Sequence, residues 1–120
     1  MVELILHGIG DYFLQTDYQA LNKKKKGFNG FISCLFHCIT YSILFFFIGS
    51  WKSVLGIFIS HFIIDRTNIV SYLIAYKNGV KTIDNFGFSK DRPFAVTVWL
   101  YIICDNLLHI ICNYIFLRLF

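Results

Sequence analysis

P-F-A-V-T-V-W-L-Y-I-I-C-D-N-L-L-H-I-I-C-N-Y-I-F-L-R-L, Pro93 to Leu119, is apolar almost throughout, yet it holds an aspartate and a histidine near its middle. A bilayer core demands about 20 predominantly apolar residues per helix, which this stretch supplies. Pro93 suits the first turn of such a helix, where its missing N–H is no loss. The composition of the whole chain agrees. Its 120 residues are 57% hydrophobic, 19% aromatic and only 15% charged, whereas soluble domains carry roughly 25% charged residues. There is one proline, and no linker, low-complexity tract or solenoid repeat interrupts the chain. The expectation is a single transmembrane domain over residues 1–120, all-α, an integral membrane four-helix bundle.

Working outward, three further segments can span: about Val2 to Leu21, Phe31 to Gly49 and Trp51 to Tyr76. The first is the most polar, with Glu3, His7, Asp11, Gln15 and Asp17. It lacks the basic start and small-residue cleavage site of a signal peptide. Lys23, Lys24, Lys25 and Lys26 fill the first loop, and Lys77, Lys81, Lys90 and Arg92 the third; the other ends offer only Lys52 and Arg118. By the positive-inside rule both of those loops are cytoplasmic and both termini lie on the non-cytoplasmic side. The basic residues therefore read first as topology, with contacts to lipid phosphates or an anionic substrate as the second reading. Nothing suggests a nucleic-acid partner.

Within this frame the ionisable residues form a pattern. His7/Asp11, His61/Asp65 and Asp105/His109 are each four apart, and His37 is the remaining histidine. Residues four apart share a helix face about 6 Å apart along the axis. The first and third spans descend and read His-x-x-x-Asp; the fourth ascends and reads Asp-x-x-x-His. All three pairs therefore fall at matching depth, with His37 somewhat shallower, and one shared intramembrane site is expected. Ionisable groups at that depth are functional candidates by default. Bare carboxylates there would each cost several kcal/mol unless protonated, paired or metal-bound. Four imidazoles and three carboxylates make a ligand set for Zn, with Mn or Fe as alternatives, and are enough for two ions. Two other readings stay open: His–Asp pairs acting as interhelical glue, and a proton relay through the same groups.

H-G-I-G-D-Y-F-L-Q-T-D (His7 to Asp17), H-F-I-I-D-R (His61 to Arg66) and D-N-L-L-H (Asp105 to His109) together resemble a bacterial and phage family of small polytopic membrane proteins known only as a domain of unknown function. In its His/Asp pattern that family is similar to inner-membrane metal-dependent hydrolases. The resemblance covers nearly the whole chain. It implies a four-helix bundle in a cell (inner) membrane with His7, Asp11, Gln15, His37, His61, Asp65, Asp105 and His109 as its polar core. Asn106 departs from the glutamine expected after the aspartate.

The other polar residues are weaker candidates. Gln15, one step further along the His7/Asp11 face, could orient a ligand or contact substrate. Asp17 reads as capped or paired with the lysine run, Arg66 as a cation that snorkels, pairs with Asp17 or faces an anionic substrate, and Asn106 and Asn113 as interhelical donors. Cys34, Cys38, Cys104 and Cys112 lie within spans and read as small packing residues, with thiolate ligation through Cys34 or Cys112 a minor alternative. Asn78-Gly79 signals a tight turn, either a hairpin or an ordinary one. Gly87, between Phe86 and Phe88, could release an aromatic flap. The function expected is a membrane-embedded, metal-dependent hydrolase acting on a lipid or lipid-linked phosphate or ester. His7, Asp11, His37, His61, Asp65, Asp105 and His109 would hold the metal; Asp11, Asp65, Asp105 and Gln15 would act in catalysis, with a metal-activated water as nucleophile. A divalent-ion or proton carrier, or a regulatory protein without turnover, is the alternative. The implied partners are the bilayer and the lipidic substrate, with self-association left open.

Overall fold

A computed structural model describes all 120 residues; every regular element in it is helical. The elements are α1 (Val2–Gly8), a π-helical turn (Ile9–Leu14), α2 (Asp17–Asn22), α3 (Phe28–Ile43) running into a 3-10 turn (Leu44–Phe47), α4 (Trp51–Arg66), α5 (Ile69–Asn78), a short helical turn (Asp84–Gly87) and α6 (Phe94–Leu119). Two helices, Phe28–Phe47 and Phe94–Leu119, are long and apolar enough to cross a membrane, and a third crossing follows if α4 and α5 count as one broken span. Burial is inverted relative to a soluble protein. His7, His37, His61, Asp65, His109 and Asn113 are buried, while Phe13, Phe47, Trp51, Tyr76 and Trp99 are exposed.

The expected spans differ from the helices in two places. The first is not continuous to Leu21. Gln15 turns extended (φ −69°, ψ 124°), and Thr16 restarts the chain as a new helix. The Thr16 hydroxyl accepts from Gln19 N–H at 3.2 Å while the Gln19 amide oxygen accepts from Thr16 N–H at 2.9 Å, a reciprocal cap that favours a start over a continuation. The third span breaks at Thr67 and Asn68, whose backbones leave the helical region. Short polar side chains of this kind compete for backbone hydrogen bonds.

The chain falls into two compact units, Met1–Thr67 with His109–Phe120, and Asn68–Leu108. In the first, α3 and α4 lie along each other, joined by a turn that Ser50 caps by accepting from Ser53 N–H at 3.2 Å. Leu6, Tyr41, Phe45, Val54 and Ile57 form its apolar core, with Leu44, Phe116 and Leu117 packed against them. Gly10 lets the π turn meet the Tyr41 ring, where any Cβ would overlap ring carbons.

In the second unit Asn78-Gly79 closes a helix instead of a hairpin. Gly79 is left-handed (φ 65°) and Val80 N–H bonds the Ala75 carbonyl at 2.9 Å, the usual glycine stop. The segment beyond it folds back. Gly87 packs directly on the Ser71 carbonyl, Phe88 is buried, and Phe86 lies against Tyr101 (ring centroids 4.8 Å). Asn85 and Phe86 are both left-handed (φ 51° and 58°). Asn85 holds the pair by donating to the carbonyls of Ser89 (2.8 Å) and Arg92 (3.1 Å) and accepting from Thr97 Oγ1 (2.9 Å).

Candidate metal centre

Above the apolar core of the first unit, at the middle of α3 and α4, four side-chain atoms converge. His37 Nε2 and His61 Nε2 are 3.0 Å apart. Asp11 Oδ1 lies 3.2 Å from the first and 3.3 Å from the second. Asp65 Oδ2 lies 3.1 and 3.3 Å from the same two atoms. Asp11, His37 and His61 thus form one group whose ligand atoms all lie within 4.8 Å of one another, and Asp65 belongs to a second such group with His61 and Cys38.

Hydrogen bonds alone do not account for this arrangement. Each imidazole nitrogen offers a single in-plane direction, for either a proton or a lone pair. Two such nitrogens aimed at one point, with a carboxylate oxygen on either side, are best satisfied by a cation at that point. Asp11 Oδ1 is buried, and only the two imidazole nitrogens approach it. The residues present fit a divalent ion.

Local structure explains the aim. The π turn carries Asp11, and such turns recur at functional sites, where the wider loop of backbone redirects a side chain. His37 and His61 come from facing positions of α3 and α4, and Asp65 follows His61 by one turn. The second oxygen of each carboxylate is also engaged: Asp11 Oδ2 is 3.5 Å from His7 Nδ1, and Asp65 Oδ1 is 3.4 Å from His109 Nε2. Both aspartates thus bridge from the His37/His61 pair to a second imidazole.

Of the residues singled out in the sequence, this unit brings together His7, Asp11, His37, His61, Asp65 and His109. Asp105 is half-buried one turn before His109 on α6, in the other unit. Gln15 stands where the first helix ends, with its Nε2 buried and without a hydrogen-bond partner. Arg66 faces neither Asp17 nor an open anion site. Its Nη1 donates to the carbonyls of Lys23 (3.1 Å) and Lys25 (2.7 Å). Asn106 bonds its own helix at the Ile102 carbonyl. All four cysteines are free thiols. The sulfur within 4.8 Å of His61 and Asp65 is that of Cys38, not Cys34 or Cys112.

The sequence reading left three residues out of the site, although it expected Asn113 to donate between helices, as it does to Tyr41. Tyr41 is fully buried and stacks on His61 (centroids 3.7 Å, 27° between planes). Its hydroxyl accepts from Asn113 Nδ2 at 2.6 Å and shares a hydrogen bond of 2.8 Å with His7 Nδ1. Tyr41 follows His37 by four, and Asn113 follows His109 by four, so the spacing that exposed the His/Asp pairs could have found both. Lys23, the third, donates from Nζ to Asp65 Oδ2 at 2.9 Å; a uniform lysine run gives no sign of which member does this.

The chain belongs to the family described as Protein of unknown function (DUF3307), which matches it over residues 1–120. No curated protein and no solved structure matches it.

Proposed function

We propose that this protein is a multi-pass membrane-embedded hydrolase that depends on a divalent metal, zinc first, and acts on a lipid or lipid-linked phosphate or ester. The approach of Asp11 Oδ1 and of Asp65 Oδ2 to both His37 Nε2 and His61 Nε2 at 3.1 to 3.3 Å carries the reading. The apolar helices and the buried ionisable side chains support a membrane setting. With the lysine distribution they favour a four-helix bundle in a cell membrane, both termini away from the cytoplasm.

In this reading His37, His61, Asp11 and Asp65 hold the ion, which supplies an acidified water and polarises the bond to be cleaved. His7 and His109, on the outward oxygens of the two aspartates, orient these carboxylates or complete a second ion's shell. His109 stands close enough to Asp65 to carry a proton away. Asp105, one turn from His109, and Gln15, at the end of the π turn, are assigned proton transfer and substrate contact from their sequence positions. The Tyr41 ring fixes the plane of His61.

The test is metal content of detergent-purified protein together with turnover of a lipid extract followed by mass spectrometry. Stoichiometric zinc and a metal-dependent loss of one phosphate- or ester-bearing lipid class are expected. Protein that turns over lipid without metal would refute the reading.

A further inference from the structure

Helix α3 carries two consecutive donors at the level of the centre. His37 supplies a nitrogen, and Cys38, the next residue, supplies a sulfur that lies within 4.8 Å of ligand atoms of both His61 and Asp65. Cys38 is fully buried, as is Cys34 one turn earlier, and their two sulfurs are 3.9 Å apart. Cys104 and Cys112, on α6, are less buried.

Packing alone does not call for these neighbours. A cysteine kept as a small apolar filler is served by apolar surroundings. This sulfur instead lies beside an imidazole and a carboxylate that both converge with His37. A thiolate buried without a cation is costly, so in the metal-free protein Cys38 is a thiol that shares a hydrogen bond with Cys34. A divalent ion on His61 and Asp65 changes that balance, because the thiolate is the ligating form. The S–H bond breaks, its proton passes to solvent, and the electron pair left on sulfur goes to the ion. Cys34 then donates its own S–H to the Cys38 sulfur, the kind of supporting contact that metal ligands commonly have. Bonds of about 2.0–2.2 Å to nitrogen and oxygen and about 2.3 Å to sulfur draw together a group that spans no more than 4.8 Å before the ion enters.

The donor set also decides which ion. Nitrogen and carboxylate oxygen suit zinc, manganese or iron alike, whereas thiolate sulfur favours zinc and serves manganese poorly. Resting on the metal-dependent reading above, we infer that Cys38 is a thiolate ligand of the centre, joined to His61 and Asp65, and that its sulfur makes this a zinc site as against a manganese one.

The experiment loads full-length protein, purified in detergent under reducing conditions, with cobalt(II) in place of zinc. Cobalt bound to a thiolate gives an intense sulfur-to-metal charge-transfer band in the near ultraviolet, which nitrogen and oxygen ligands do not. Wild type should show the band. Cys34→Ser, Cys104→Ser and Cys112→Ser should retain it, and Cys38→Ser should lose it while still binding cobalt. In competition titrations Cys38→Ser should hold zinc at least about 100-fold more weakly, beyond the loss typical of a supporting partner. Its manganese affinity should stay near that of wild type, a split that a purely structural role would not produce. Should Cys38→Ser fail to fold, retention of the band in the other three variants still assigns it to Cys38. Cobalt bound to wild type without the band, a band that survives in Cys38→Ser, or equal losses of zinc and manganese affinity would each overturn the inference and leave a centre of nitrogen and oxygen ligands standing. Protein that binds neither zinc nor cobalt would sink the metal-dependent reading, and the inference with it.

Discussion

Tyr41 lies face to face with His61, 3.7 Å between ring centroids, and this stack sets the plane in which the imidazole presents Nε2 to that of His37, 3.0 Å away. The phenol is anchored at its far end by Asn113 and His7. A buried aromatic with both face and hydroxyl engaged acts as a template for the ring above it.

Removing only the hydroxyl separates these two roles. Tyr41→Phe keeps the stack and strands the Asn113 amide, a loss of about 1–3 kcal/mol. Thermal unfolding in detergent should shift down by several degrees while zinc stoichiometry stays near wild type. Tyr41→Leu removes the ring face as well and should lower metal content too. Equal metal loss in both variants would show that the hydroxyl, not the stack, orients His61.

The carboxylates should be intolerant of neutralisation. Asp11→Asn or Asp65→Asn takes away one converging anionic oxygen, and metal affinity should fall on the order of 100-fold or more. If the aspartates were only hydrogen-bonded partners of histidine, the amide would preserve much of the fold and there would be no metal to lose. Metal stoichiometry and melting temperature on the same two variants decide between these outcomes.

Gly10→Ala should disrupt the fold from a position that itself supplies no side chain to the centre. The added methyl meets the Tyr41 ring, and overpacking of this kind costs about 1–3 kcal/mol. Gly8→Ala is the matched control, because nothing lies within 4 Å of a Cβ there. A Gly8 variant as unstable as the Gly10 variant would point to helix propensity instead of packing.

In the second unit, Asn85→Ala leaves the Ser89 and Arg92 carbonyls short of a donor and removes the residue type best suited to left-handed backbone after glycine. Amide exchange from residues 83–92 should accelerate at least tenfold, with no change in exchange from α3. Uniform acceleration of both would mean that the two units unfold together.

Topology is open to direct measurement. A reporter fused after Phe120 should register the non-cytoplasmic side, and a cysteine placed at Lys25 should react only from the cytoplasm. A cytoplasmic C-terminus would reverse the assignment drawn from the lysines.

The i, i+4 pairs were legible because helix geometry alone puts such residues on one face: all seven expected metal ligands come from those pairs or are His37, and all but Asp105 lie together in the first unit. The breaks were not legible. The turn at Gln15 depends on a cap made by Thr16 and Gln19, and the stop at Thr67 depends on short polar side chains turning to nearby carbonyls. Both motifs sit inside stretches whose hydropathy still reads as one span. Lys23 was hidden for a different reason: its partner is 42 residues away, and no local pattern distinguishes it from its three neighbours.

The π turn from Ile9 to Leu14 sets a further condition. Its hydrogen bonds reach one residue further along the chain than those of the α-helix leading into it, so Asp11 and the residues after it are rotated from where a regular helix would carry them. The number of residues between His7 and Gln15 is therefore as much a part of the centre as their identity. Deleting a single exposed residue such as Phe13, a change that touches no ligand, should relax the turn to α and swing Asp11 off His37 and His61. In this stretch the centre tolerates changes of side chain more readily than changes of count.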